Sequence, residues 1–492
     1  MSSRCRRWGF VVQARRISVA IAALLAAPLV SVASTGDEAA AVDPPPNVVV
    51  ILVDDARFDD MSTLPQVKAL IGDAGATFAN AYAPFPLCCP ARATILTGQY
   101  AHNHGVLANE APLGGFSAFE DTNTMATWLT PDYTTGFIGK YLNGYSLPYR
   151  PPGWDSWMVP TDSVYNYRGT SWNINGVHRT YAGYRTDAMG TIASEFIDAH
   201  ADDARPFMLF TSIVAPHAGN PVEADDPNQI YNTSIFPTPN VKDTYRDRFA
   251  GLRNADPSFN EADVSDKPVR PGPLAQWEIN ALTEVNAQRR EALLSAQDAT
   301  RRIIESLQAA GELDNTYVLF LSDNGFMLGD HRIRSGKVHP YEVATRIPLM
   351  IRGPGIPAGS VVTQPVGEQD IAPTILAMTD NVGANGGFPL DGANILSMIG
   401  NPGVRAGRPV VIEMGPKTAM STDYRFHGVV VRVDGVRWKY VERTGGRKEL
   451  YDLNADPAEL TNVAGKAAYT QIQSQLRTLL LQYQWCAGTA CL

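Results

Sequence analysis

Two apolar runs set the terms for this chain. "NVVVILV" covers residues 47–53 and "TYVLFLS" covers 316–322. Each lacks polar alternation and ends abruptly on a polar pair, Asp54-Asp55 and Asp323-Asn324. A strand that is apolar at every position has both faces covered, the pattern of parallel strands packed between helices. "TTGFIGK" (134–140), "PFMLFTSIV" (206–214) and "IPLMIRG" (347–353) are further strands of this kind. Helical spacing runs from Leu274 to Ala310, with Gly311 as the stop signal. The expected fold class is α/β, a sheet covered on both faces. In such sheets ligands bind at the carboxyl ends of strands, where Asp54, Asp55, Asp323 and Asn324 fall.

The texture changes after about residue 400. "VVVRVDGVRWKYVER" (429–443) reads as a hairpin turning at Asp434-Gly435, and a helix is expected over 464–484. This predicts a smaller C-terminal α+β unit at 401–492 beside a main domain at 47–400. A polar stretch from 218 to 273 has no period and reads as a long functional loop region. The 492 residues suffice for a large core, and length alone suggests two or three domains. The net charge of −9 gives no basic stripe, so nucleic acid is not an expected partner. Nothing in the sequence fixes an oligomeric state.

Residues 1–33 read as an export signal. Arg4, Arg6, Arg7, Arg15 and Arg16 precede an apolar run from Ile17 to Val30, and Ser31-Val32-Ala33 offers a cleavage point. The run is short for a transmembrane helix, so stable membrane insertion is not expected. Arg15-Arg16 leaves both the general and the twin-arginine route open. Residues 34–46 read as a disordered spacer. The mature protein is expected outside the cytoplasm, secreted or in the cell envelope. Export favours disulfides, and Cys486 and Cys491 in "WCAGTACL" are spaced to close a small ring.

Cys88 and Cys89 remain, in "PLCCPARATILTG" (86–98). Adjacent cysteines rarely pair, because the geometry strains the peptide between them. Pro90 is placed to begin a helix that Thr97-Gly98 ends, so Cys88 is expected just before a helix N-terminus, with Arg92 one turn in. That is an anion site with a reactive side chain beside it. The spacing to Arg92 is too short for a phosphatase-type thiolate loop, and no partners for a zinc or redox site are present. Asp54, Asp55, Asp323 and Asn324 offer only oxygen, which suits calcium or magnesium. Acids after strands also cap helices or face water, and the pattern alone leaves both open.

Together these residues resemble a known family. Cys88-Cys89-Pro90-Ala91-Arg92 followed by Thr97-Gly98 resembles the signature of the formylglycine-dependent sulfatases. "ILVDD" and "LSDNG" resemble the family's metal segments, "APHAG" (215–219) its substrate-histidine segment and "GKVHPYEVATRIPLMIRGPGI" (336–356) its second-lysine segment. "GKYLNGY" (139–145) and "PPGWDSW" (151–157) resemble the N-acetylglucosamine-6-sulfatase and extracellular heparan endosulfatase branch, and "ELYDLNADPAELTNV" (449–463) the C-terminal segment.

The resemblance implies an alkaline-phosphatase-like fold, a large mixed sheet between helices with a smaller C-terminal α+β domain. It implies a sulfuric ester hydrolase acting on sulfated sugars of the glucosamine 6-sulfate type. Cys88 would be converted to Cα-formylglycine by a formylglycine-generating enzyme, with Cys89 a small buried residue. Hydrated to a geminal diol, the aldehyde attacks sulfur with one hydroxyl; the other loses its proton to release sulfate. One Ca2+, in preference to Mg2+, would be held by Asp54, Asp55, Cys88, Asp323 and Asn324. Arg92, Lys140 and Lys337 would hold the nucleophile and spread charge, and His217 would contact the sulfate and protonate the leaving oxygen. One position departs from the pattern: Leu142, followed by Asn143, stands where many members place a histidine base. His102, His104 and His339 are the candidates to replace it, His331 lying on the far side of Lys337. Three other readings stand beside this one: a broad arylsulfatase, a phosphonate monoester or phosphodiester hydrolase, and a non-catalytic glycan-binding protein on the same fold.

Overall fold

A computed structural model describes residues 44–415 and 426–492. The expected export signal, and the spacer up to residue 43, lie outside the described residues. Residues from Pro44 onward form one compact unit.

At its centre is a mixed sheet of ten strands. Five adjacent strands run parallel: Thr316–Ser322, Asn47–Val53, Phe207–Ser212, Thr134–Gly139 and Ser156–Pro160. Their apolar continuity has the predicted cause. Val48, Val50 and Leu52 point into one core layer, while Val49, Ile51 and Val53 point into the other. The first layer is closed by Cys89, Ala93, Ile95 and Leu96 of the helix Cys88–Thr97 and by Ile371 and Ile375 of Ile371–Met378. The second is closed by Ile192 and Phe196 of the helix Arg185–His200 and by Leu293, Ala296 and Ile303 of Gln276–Ala309. Antiparallel strands flank the parallel centre, Leu349–Arg352 on one side and the hairpin Ser171–Ile174 with Val177–Thr180 on the other.

The smaller sheet holds Val410–Met414, Phe426–Val433, Val436–Arg443 and Lys448–Asp452, all antiparallel. The hairpin turns at Asp434 and Gly435, both with positive φ (49° and 83°), the geometry a two-residue turn needs to match strand twist. One face packs on Leu476 and Leu480 of the helix Thr470–Tyr483. The other packs on Tyr82, Phe85 and Tyr341 of the main body. That helix begins later than the expected residue 464, because Val463 is bonded back to Leu450. The polar stretch 218–273 forms only short turns, Pro227–Ile230 and Asp243–Tyr245. No helix among the described residues is long and apolar enough to cross a membrane.

Candidate active site

The parallel strands deliver the candidate residues to one edge of the sheet. Asp323 and Asn324 follow one strand, Asp54 and Asp55 the next, and Lys140 follows Gly139 two strands over. Gly139 is required at that exit: its φ is +98°, and a Cβ there would sit 2.3 Å from the Ser212 carbonyl oxygen. The helix Cys88–Thr97 approaches from the side. It begins at Cys88, not at the expected Pro90, which is its third residue. Proline is tolerated there because the first-turn N–H groups have no intrahelical acceptor. The Cys89 N–H is instead taken by the Asn109 side chain at 2.9 Å.

Three carboxylates converge with three cations. Ligand atoms of Asp54, Asp55 and Asp323 lie within 4.8 Å of one another, as do those of Asp54, Cys88 and His217. Lys140 bonds Asp54, and Lys337 bonds Asp55. Lys337 Nζ also lies 2.8 Å from Cys88 Sγ, which is 3.4 Å from Asp54 Oδ1. Arg92 Nε bonds Asp323 Oδ2 at 2.9 Å, and its Nη1 reaches the Lys140 carbonyl and Ser212 Oγ at 2.9 and 2.6 Å. Arg92 therefore orients the acids and the lysine rather than projecting into open space. Asn324 Nδ2 donates to Asp55 Oδ1 at 2.6 Å, while its buried Oδ1 has no hydrogen-bond partner among the described residues. An all-oxygen donor set with one buried acceptor left over fits a hard divalent cation.

The electrostatics follow from burial and charge. Burial pushes the Asp54 carboxyl up, but Lys140, His217, Arg92 and Lys337 outweigh it and hold the group well below the usual range. Burial, then Asp54, raise Asp323 despite Arg92. Burial, then Asp54, raise the Cys88 thiol above its ordinary value in spite of both lysines. A thiolate is thus disfavoured in this setting. His217 is lowered to about 4, first by burial, with Lys140 and Lys337 adding and the two aspartates opposing. Its Nδ1 lies 2.7 Å from the Ala218 carbonyl, which only accepts, so Nδ1 carries the proton and Nε2 is left facing Asp55 Oδ2 at 3.9 Å.

The structure thus brings Cys88, Arg92, Lys140, His217, Lys337, Asp54, Asp55, Asp323 and Asn324 into one cluster. The other candidate histidines have different neighbours. His102 pairs with Glu413 at 2.8 Å and the Cys486 carbonyl at 2.9 Å, anchoring the C-terminal tail. His104 lies between Thr94 Oγ1 and the Val106 N–H. His331 pairs with Glu261, and His339 stacks on Tyr341. Cys486 and Cys491 are joined in a disulfide; Cys88 and Cys89 are buried free thiols. Cys89 does more than fill space, since its sulfur accepts the Asn143 N–H at 3.2 Å.

Sequence reasoning missed Tyr165. Its ring packs at a tilt against His217, centroids 4.7 Å apart, and lies 4.9 Å from Lys140 Nζ, and its hydroxyl donates to Asn143 Oδ1 at 3.0 Å. It also missed Arg289, which holds the Asp55 and Pro216 carbonyls. Neither residue sits in a recognisable motif. Arg289 reads as one more polar residue on a long helix.

Fold and site define a hydrolase of the alkaline-phosphatase-like class. Its acid-rich centre lies at the carboxyl ends of a doubly covered sheet. The sulfatase family matches residues 46–382, and the N-sulphoglucosamine sulphohydrolase C-terminal family matches residues 329–485. The chain belongs to the sulfatase family and is a sulfuric ester hydrolase. It is 29% identical to the N-acetylglucosamine-6-sulfatase of Capra hircus, over 90% of this chain and 84% of that one. It is 32% identical to the extracellular sulfatase SULF-1 homolog of Drosophila melanogaster over 72% of this chain, which spans only 31% of that protein's length. A protein solved in complex with its substrate D-glucosamine-2-N,6-O-disulfate superposes with a TM-score of 0.69 at 24% identity, covering 89% of this chain and 97% of that one.

Proposed function

We propose that the protein is an exported sulfatase that uses Cα-formylglycine at residue 88 and one calcium ion to hydrolyse sulfated sugars of the glucosamine 6-sulfate type. The observation that carries this reading is the convergence of three carboxylates, the unpartnered Asn324 Oδ1 and three cationic side chains around Cys88. Asp54, Asp55 and Asp323 balance Arg92, Lys140 and Lys337, so a divalent cation makes the centre net positive, as an anionic sulfate ester requires. The bound cation would neutralise sulfate oxygens, and the hydrated aldehyde at residue 88 would supply the attacking hydroxyl and the route for sulfate release.

The protein's own residues do the rest. Lys337 is hydrogen-bonded to the residue 88 side chain and keeps positive charge there. Lys140 lies beside Asp54, where it stabilises charge developing on the sulfate. Arg92 fixes Asp323 and the Lys140 carbonyl, keeping these partners in register. His217 has Nδ1–H committed to Ala218, so Nε2 handles the proton at the leaving oxygen. An anionic sulfate beside His217 opposes its depressed pKa. The basic-then-apolar leader of residues 1–33 supports export. We assign residues 47–400 to the catalytic domain and 401–492 to the C-terminal unit.

Sulfate release from N-acetylglucosamine 6-sulfate, with peptide mass spectrometry of residues 86–98, tests the reading. Aldehyde is expected on residue 88, one calcium per chain, and loss of turnover in Cys88→Ser. Modification of Cys89 instead, no modification in active protein, or stoichiometric zinc would each refute it.

A further inference from the structure

Tyr165 divides two cavities at the edge of the cluster. The larger, about 570 Å³, is lined by Lys140, Asn143 and Asp162 among others. Its charged and amide groups already have partners: Lys140 with Asp54, Asn143 with Tyr165, Asp162 with Arg185. The smaller, about 330 Å³, is lined by Tyr165, His217, Asn220, Asp226, Asn228 and Thr238. Here one group is not satisfied. Asp226 is 3% exposed; its Oδ2 accepts the Glu223 N–H at 2.8 Å, while its Oδ1 is buried with no hydrogen-bond partner among the described residues. A buried carboxylate oxygen without a donor is costly, and the cost is removed when a ligand supplies one.

The walls of this cavity are built, not incidental. Asn220 N–H donates to the Tyr165 carbonyl and Tyr167 N–H to the Asn220 carbonyl, both at 2.7 Å, and Tyr167 OH holds the His217 carbonyl at 2.7 Å. These bonds lock the His217 segment to the Tyr165 segment. His217 therefore stands between the acidic cluster and the smaller cavity, with one ring nitrogen toward Asp55.

We infer that the smaller cavity is the subsite for the leaving alcohol, and that Asp226 determines specificity by accepting a hydrogen bond from a hydroxyl of that alcohol. The inference rests on the sulfatase reading above and deepens it. With the sulfate group on the cluster, an alcohol departing past His217 enters this cavity. A turn of the Asp226 carboxyl toward the cavity, which this residue lines, brings Oδ1 to a hydroxyl donor of a sugar. A simple aryl alcohol brings none and leaves the oxygen unpaired, the situation in which a site built for a hydroxyl discriminates most strongly. Asp226 lies in the stretch 218–273, so this gives that loop region a function.

The test compares wild type, Asp226→Asn and Asp226→Ala on N-acetylglucosamine 6-sulfate and on 4-nitrophenyl sulfate, using chain carrying the modified residue 88. Asparagine keeps an oxygen for the Glu223 N–H but offers a donor where Oδ1 stood. The expected result is a fall in kcat/KM on the sugar sulfate of about 10- to 100-fold, mostly in KM, for a lost charge-assisted hydrogen bond. On the aryl sulfate, which has no hydroxyl for Asp226, the fall should be at least about fivefold smaller, and circular dichroism matching wild type should report that both variants fold. An equal loss on both substrates, or no loss on the sugar sulfate, overturns the assignment. A wild-type chain that cleaves the aryl sulfate but not the sugar sulfate overturns the subsite and leaves the sulfatase chemistry standing. A wild-type chain that cleaves neither fails at the proposed function, and the subsite falls with it.

Discussion

Replacing Lys439 with methionine should uncouple the C-terminal sheet from the segment that carries Lys337. Lys439 is fully buried, with Nζ 2.9 Å from Glu342 Oε1, 2.8 Å from Glu459 Oε1 and 2.8 Å from the Pro340 carbonyl. Methionine fills the volume but leaves the acids without that cation. Glu342 keeps Arg437 at 3.6 Å and retains a counter-charge, so the orphan is Glu459. Breaking a buried pair by removing one partner costs about 3–5 kcal/mol. The cost should depend on pH. Burial raises Glu459 to about 7, with Glu342 adding and Lys439 opposing. The folded protein therefore holds a proton on Glu459 that the unfolded chain releases near the ordinary value of 4.5, and stability falls as pH rises through that interval. Removing Lys439 raises the folded value further and extends the fall to higher pH. Urea unfolding followed by tryptophan fluorescence should give a deficit of about 1 kcal/mol at pH 5 and at least about 3 kcal/mol at pH 8. Adding Glu459→Gln should recover much of the loss at pH 8. A deficit below about 1 kcal/mol at pH 8, or one equal at both pH values, would refute the account.

Two further outcomes are expected. His104 is held neutral, lowered to about 3 by burial first and His102 second, against an ordinary 6.5, so the unfolded chain takes up a proton that the folded chain refuses. Stability contributed by His104 is present above about pH 6.5 and lost as pH falls toward 3, by at most about 1.4 kcal/mol per unit, and His104→Gln should flatten that slope in acid-denaturation curves. Reduction or double serine replacement of Cys486 and Cys491 should increase proteolysis at the tail by loosening the Cys486 carbonyl from His102 and Asn103, with sulfate-ester turnover within about twofold of wild type; a large catalytic loss would refute the anchoring role.

The strands were legible because burial on both faces leaves a local mark. Asn47–Val53 and Thr316–Ser322 have the boundaries their apolar runs predict, and the polar pairs that end them stand where the cluster forms. Asp434-Gly435 announced its turn, since few residues tolerate positive φ at both positions. The helix start at Cys88 was misplaced by two residues because its cap is Asn109, supplied from another loop.

By itself, then, the sequence determined the sheet, its covered faces, the order of its motifs and the residues able to carry charge at strand ends. These depend on patterns within a few residues, which backbone periodicity converts directly into faces and ends. Only the tertiary structure decided which charged groups meet. His102, His104, His331, His339 and His217 are chemically alike in the sequence, yet only His217 joins the cluster, because Tyr165 and Tyr167 hold it there from another segment. Asp226 carries no motif at all. Its unpaired oxygen exists only because chain segments far apart in sequence close a cavity around it, and satisfaction of a buried polar group is a property of the packed structure.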